Sequence, residues 1–453
     1  MPDATDPAPD TNMAPSVNNP SSGSSPAPII LRSATPESEF NSLIFSRIFN
    51  RRRPDLSSFT IPWQHSRHPH AYCKPLTVSD VVACVDFARK KDKRIAIRSG
   101  GHSWACWSIR YDSILLDMID FEGGVGSIRW EREMGEGVVS CGPAVTSGGL
   151  NEFLAEGGRM FPGGHCPDVG LGGFLLQGGM GWNCKTKNQD LFHAARGAGP
   201  AFPAVVTRFY MKTLSLLPMW QSLYFFDITK FKEVLEWLIK LSPTASPTLE
   251  IVLVSSFVPQ SSPTPTLTAV FTSFAPSHTA ALSALTPIHT SLPCPHSASP
   301  NHPSRFCEPT SLPEEYAAQL AGNAAPGFRT RSDNAYLSND LSPAQVAAAL
   351  DPAFSSLPTK QSTALWFSMN PTSRRARKGN MMLSMQSDHY FSVYAVWEEE
   401  KDDGVCDGWV RDVFARLEEQ EGTLAGSYLG DADFQFRKAG GSFGGRGGVI
   451  REM

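Results

Sequence analysis

An α+β architecture, with an antiparallel sheet covered by helices, is predicted by three observations. Strand-like and helix-like runs are separated along the chain, the second half is dominated by strands with intervening amphipathic helices, and no internal repeat is present. With 453 residues the chain is long enough for two to three domains, each with its own core.

The elements follow in order. Residues 1 to 36 are rich in Pro, Ser, Asn and Ala and cannot bury enough surface to offset chain entropy, which predicts a disordered tail over 1–39. Ordered sequence is expected from about Phe40. Ser79 reads as the N-cap of a helix with apolar positions Val81, Val82, Val85 and Ala88. The run Arg94 to Arg98 reads as a strand that leads straight into Ser99-Gly100-Gly101-His102-Ser103. Short strands follow at Ile114 to Asp117 and Val138 to Cys141, then a short helix over Leu150 to Ala155. Beyond Arg208, strands are expected at Leu223–Phe226, Leu249–Val254, Leu267–Phe271, Leu365–Met369 and Phe391–Val396. Phe231, Val234, Leu235 and Leu238 mark one helix face, and Val410, Val413, Phe414 and Leu417 another. The Pro/Ser/His-rich stretch Thr286 to Pro313 reads as a long loop or insertion.

Bulk chemistry removes several function classes. A net charge of -4 offers no broad basic surface, so no nucleic-acid partner is expected. No apolar run approaches the roughly 18 residues of a membrane span. The N-terminus has no basic start followed by an apolar stretch, and nine cysteines are dispersed without close pairing. Together these features point to a cytoplasmic protein without a disulfide framework.

Two loops carry the chemistry. In Arg98-Ser99-Gly100-Gly101-His102-Ser103, paired glycines let backbone approach a ligand and successive N–H groups can form a concave anion site. Arg98 and the serine hydroxyls could add contacts to a pyrophosphate, and His102 could present a nucleophilic imidazole. A tight turn with a structural histidine explains the same residues. The second loop, Pro162-Gly163-Gly164-His165-Cys166-Pro167-Asp168-Val169-Gly170, lies in a passage with ten glycines between Gly157 and Gly181. Glycine weakens helix and strand alike, so this density suits a backbone laid against a flat or charged ligand. Cys166, flanked by proline, reads as an exposed, reactive thiol, against the ordinary alternative of a small buried side chain. A nicotinamide-dinucleotide fingerprint over Gly170, Gly172 and Gly173, with Asp190 beyond, lacks the strand before and the helix after that it requires.

The pairing of these loops, with His102 and Cys166 64 residues apart, resembles the berberine-bridge-enzyme-like oxidases of the vanillyl-alcohol oxidase and p-cresol methylhydroxylase (PCMH) superfamily, fungal members above all. A third element, Leu191-Phe192-His193-Ala194-Ala195-Arg196-Gly197 through Val205-Val206-Thr207-Arg208-Phe209, resembles the strand that closes the family's FAD domain beside the adenine. The resemblance implies a PCMH-type FAD-binding domain of two small α/β subdomains over 40–216, a substrate domain over 217–425 and a shortened C-terminal segment over 426–453. It implies bicovalent FAD, bonded through His102 to the 8α-methyl carbon and through Cys166 to ring carbon 6. Arg98, Ser99, Gly100, Gly101, Ser103, Gly164, Val169, Gly170, Gly173, Gly178 and Val206 would line the cofactor. The implied reaction passes hydride from a small alcohol, sugar or secondary metabolite to flavin N5 and then to O2. Gly426 to Asp431 resembles the family's Tyr-x-Asn-Tyr-x-Asp element, which makes Tyr428 the expected base.

Two departures leave a second reading open. Only Trp182 to Asp190 separates the second and third elements, where the family places about thirty or more residues, and Gln177 stands where many members have glycine. On that reading the chain is a non-catalytic remnant with weak or no flavin binding. Other clusters carry less: the His65, His68, His70 and Cys73 group reads as extended loop and no metal site is expected, Arg51 to Arg53 reads as a solvated face, and Trp63, Trp104 and Trp107 read as packing mass.

Overall fold

The computed structural model describes residues 29–45, 67–104, 106–179, 194–296, 303–322, 328–370, 382–383, 387–430, 432 and 437. The first unit is a four-stranded sheet in the order β1-β2-β4-β3, formed by Ile29–Leu31 (β1), Ala71–Cys73 (β2), Ile95–Arg98 (β3) and Ile114–Asp117 (β4). β2, β4 and β3 run parallel and β1 is antiparallel to β2. Parallel neighbours need a crossover, and helix α2 (Val78–Lys90) lies between β2 and β3. Its N-cap is Thr77 rather than Ser79: the Thr77 hydroxyl accepts from the Asp80 N–H at 3.2 Å while the Asp80 carboxylate accepts from the Thr77 N–H at 2.9 Å. That reciprocal box requires an acid three residues beyond the cap, which Ser79 lacks. Val81 and Ala88 are buried as expected, whereas Val82 and Val85 face outward.

Helix α1 (Glu37–Phe45) covers the sheet with Phe40 and Ile44, which pack with Tyr72, Ala96 and Leu115. Structure therefore begins ahead of Phe40. β1 and the start of α1 fall inside the expected tail because three apolar residues, Ile29 to Leu31, suffice for an edge strand beside β2. Residues 1–28 lie outside the described set. One pair of cysteines is joined: Cys73 on β2 and Cys84 on α2 form a disulfide, a single bridge that the dispersed cysteine pattern did not point to.

The second unit is a three-stranded antiparallel sheet in the order β5-β6-β8, formed by Arg129–Trp130 (β5), Val138–Cys141 (β6) and Phe209–Lys212 (β8). Arg159–Met160 (β7) pairs with Leu214–Ser215 (β9). Helices α3 (Ser147–Ala155) and α4 (Leu171–Leu176) bury Leu150, Leu154, Leu171 and Phe174 against Val139, Cys141 and Met211.

The third unit is an eight-stranded antiparallel sheet in the order β13-β10-β12-β11-β15-β16-β14-β17. Its strands are Met219–Asp227 (β10), Leu249–Ser256 (β11), Thr266–Phe274 (β12), Arg305–Thr310 (β13), Arg329–Leu337 (β14), Thr363–Ser368 (β15), His389–Trp397 (β16) and Leu424–Gly426 (β17). Alternation decides its two faces. Leu253, Phe271, Ala335, Trp366 and Phe391 point to one side and are buried with Leu238 of α5 (Phe231–Leu241), Leu285 of α6 (His278–Thr290), Leu350 of α8 (Pro343–Ser355) and Phe414 of α9 (Asp403–Glu419). Helix α7 (Leu312–Gly322) instead reaches the second unit, through Leu312 and Tyr316. The expected loop from Thr286 to Pro313 is corrected at both ends, where α6 continues to Thr290 and β13 pairs with β10. β13 ends the strand order, and a proline such as Pro309 is tolerated on an edge strand because no neighbour there needs its N–H. Separate strands and helices with an antiparallel sheet under helices are thus the architecture the sequence predicts.

Candidate active site

The two glycine loops meet. A Cβ built on Gly100 would lie 2.8 Å from the Gly170 nitrogen, and one on Gly170 would lie 2.5 Å from the Gly100 nitrogen. Both positions must lack a side chain for the backbones to touch. Gly101 adopts φ 74°, a left-handed conformation natural to glycine, and turns the chain toward His102. Ser99 lies against Gly172, and the Ser103 hydroxyl accepts from the Trp107 N–H at 3.5 Å. Gly173 has open space where a Cβ would stand, and Gly178 turns at φ 89°. Val206 is half-buried in the segment before Arg208.

The Cys166 loop is pinned by the first turn of α3. The Gly164 N–H donates to the Ser147 hydroxyl at 3.1 Å, and the N–H groups of Ser147 and Gly148 donate to the Val169 and Pro167 carbonyls at 3.0 and 2.7 Å. A turn closes from the Val169 N–H to the Cys166 carbonyl at 3.2 Å. The unsatisfied N–H groups of a helix start are thus spent on loop carbonyls. Cys166 and His102 are both half-buried.

Arg98 corrects an expectation. Its guanidinium and the Asp117 carboxylate are both 0% exposed and 2.8 Å apart, and it also donates to the carbonyls of Leu43 and Ile44. A buried charge persists only when paired, and here the pairing anchors α1 and β4 under the loop instead of reaching a pyrophosphate.

Above the loops lies the other face of the eight-stranded sheet. Cross-strand register lines up Val252, Phe367, Tyr390 and Tyr336 over β11, β15, β16 and β14. Trp104, two residues past His102, packs on Tyr394 with ring centroids 4.9 Å apart. His165, beside Cys166, has Nε2 3.0 Å from each Glu250 oxygen, and its ring lies 5.3 Å from that of Phe367. Tyr428 joins Tyr336, Tyr390 and Leu383 in a buried cluster. The Asn334 amide fixes its backbone, donating to the Tyr428 carbonyl and accepting from its N–H, both at 2.7 Å. Gln177 reaches the same corner: a Cβ on Gly430 would stand 2.5 Å from Gln177 Oε1 and 2.8 Å from Tyr428 Cζ.

Comparison with known proteins decides the family. The family described as FAD binding domain matches residues 69–195. Berberine bridge enzyme from Eschscholzia californica shares the fold, with a TM-score of 0.69 at 16% identity over 90% of this chain and 85% of that one. A Physcomitrella patens BBE-like 1 structure gives 0.69 at 18% identity over 90% of both chains. The FAD-linked oxidoreductase janO of Penicillium janthinellum is 34% identical over 436 residues, 89% of this chain and 90% of its own length. The chain belongs to the FAD-linked oxidoreductases, and its fold is that of berberine bridge enzyme.

Membership makes FAD the relevant ligand, and the residues fit it. The Gly100–Gly170 contact builds a side-chain-free backbone floor, and the cradle at Gly173 stays open. The structure brings the His102 and Cys166 loops to the sheet face against which Tyr428, just past β17, packs. Leu191 to His193, the Trp182 to Asp190 segment, His65 and Arg51 to Arg53 lie outside the described residues. Among the described residues no group of three or more metal-ligating side chains occurs, His70 faces Asp112 at 3.7 Å, and no helix is long and apolar enough to cross a membrane. The sequence reading missed Ser147, Asn334 and Glu250. Only Glu250 had a signal, as the one carboxylate in the apolar run Leu249 to Val254.

Proposed function

We propose that this berberine-bridge-enzyme-like oxidoreductase carries FAD bonded to His102 and Cys166 and oxidises a small organic substrate at a C–H next to a hydroxyl or similar group. The observation that supports the reading is the contact at Gly100 and Gly170 between the two glycine loops, the loops that carry the half-buried His102 and Cys166. Ser99, Gly101, Ser103, Gly164, Val169, Gly178 and Val206 would complete the lining. When bound, the flavin would supply a two-electron acceptor, with O2 as the final oxidant. The chain's own part is to hold, shield and deprotonate. Phe367, Tyr390 and Tyr336 offer an aromatic wall on the sheet side, and Tyr428 Oη can bond the substrate hydroxyl from the same cluster.

Acid precipitation of protein expressed with riboflavin tests the reading. A yellow pellet is expected, with the His102 and Cys166 peptides recovered as one species joined through a single flavin. Either single variant, His102→Ala or Cys166→Ala, should keep one bond and hence colour, and the double variant should lose it. A colourless wild-type pellet with both peptides at their bare masses would favour the remnant reading.

A further inference from the structure

We infer that His165 is the proton acceptor for this oxidation and that Glu250 is the positioning residue that holds it in the accepting form; the inference rests on the proposed oxidase reading. Three observations converge on the pair. His165 directly precedes Cys166, so its ring stands where the cofactor loop meets the sheet. Glu250 comes from β11, across the seam, with both carboxylate oxygens 3.0 Å from Nε2. Phe367 flanks the imidazole at 5.3 Å and belongs to the aromatic row of the same sheet face.

The chemistry follows from donor and acceptor roles. An ionised carboxylate can only accept, so Nε2 donates to it, and in the neutral ring the lone pair is then on Nδ1. An imidazole oriented by a carboxylate in this way is a general-base arrangement, because the carboxylate also stabilises the imidazolium that forms. In the step assigned, the substrate O–H bond breaks and its proton passes to His165 Nδ1. The neighbouring C–H bond breaks with its electron pair, hydride leaves to the bound flavin, and C–O becomes C=O. Exposure separates this residue from Tyr428. The His165 side chain is 28% exposed at the seam, whereas Tyr428 is 5% exposed within packed rings, so Tyr428 is the residue that bonds and orients.

The test uses the flavin-loaded full chain and two readouts. Nitrogen-15 NMR of labelled histidine should show a His165 ring protonated at Nε2, and Glu250→Gln should abolish that preference; a ring protonated at Nδ1 in the wild type overturns the inference. Anaerobic bleaching of the flavin is then followed with a probe panel of benzyl alcohol, a secondary alcohol series and cellobiose. His165→Gln, with flavin per chain unchanged, should bleach about 100-fold more slowly, as expected for a lost general base, and added imidazole should restore part of the rate. Bleaching within threefold of wild type, or a loss confined to Tyr428→Phe, sinks the assignment. A wild type that no panel member bleaches counts against the oxidase reading itself, and the NMR result still decides whether Glu250 holds His165 in the accepting form.

Discussion

At the scale of single residues, the site depends on what is missing as much as on what reacts. Gly100 and Gly170 leave no room for a methyl group between their backbones. Gly170→Ala must therefore push the two loops apart. Its expected cost is about 1–3 kcal/mol of stability, the usual range for overpacking, and flavin retained per chain should fall several-fold, read from the absorbance of the acid pellet. Unchanged flavin content would mean that the contact does not shape the cofactor floor. Arg98 shows the opposite logic. A charged residue beside a ligand loop suggests a ligand contact, yet its two terminal nitrogens bond Asp117 and the carbonyls near the end of α1.

At the scale of elements, α3 does the positioning. Its first turn gives two N–H groups and the Ser147 hydroxyl to the loop that carries His165 and Cys166. Ser147→Ala would leave the buried Gly164 N–H without its acceptor. The expected loss is about 1–3 kcal/mol, the penalty for a buried unpaired donor, measurable as a lower denaturation midpoint. A midpoint equal to wild type would show that the loop finds another partner. Helix α9 is tied in a different way. Arg331 bonds Asp407 at 2.9 and 3.1 Å, Arg329 bonds Asp403, and Arg437 bonds Asp333 at 2.8 and 2.9 Å. These bidentate pairs join β14 to α9 and to Arg437, and so steady the strand that carries Asn334.

At the scale of the whole molecule, burial sets an alkaline limit. Desolvation pushes the Cys141 and Cys406 thiols up to about 12, although Arg208 opposes this at Cys141. An unfolded thiol ionises near pH 9, so the unfolded chain loses these protons first. Stability from this source is complete below about pH 9 and declines between there and 12, by about 1.4 kcal/mol per pH unit for each thiol. Denaturant titrations at pH 8.5 and 10.5 should show the drop, and the Cys141→Ala, Cys406→Ala double variant should have a shallower slope. An identical slope in that variant would remove these thiols from the account.

Legible from the sequence alone were part of the elements and the chemistry of the two loops; helix α8 and the interior strand β14 were not read from it. β4 and β6 fall at their expected ends because short apolar strands bounded by polar residues announce themselves locally, and the glycine density around Cys166 is a local signal too. Edge structure was not legible: Ile29 to Leu31 and Arg305 to Thr310 are strands only because a neighbour offers hydrogen bonds. Nor could spacing show that Arg98 would meet Asp117, or that β11 would carry Glu250 to His165, 85 positions away along the chain. Chain pattern encodes periodicity and loop chemistry, which act over a few residues. Which charge is buried, and which imidazole gains a carboxylate, depends on partners that come within 3 Å only when the sheets and loops have packed.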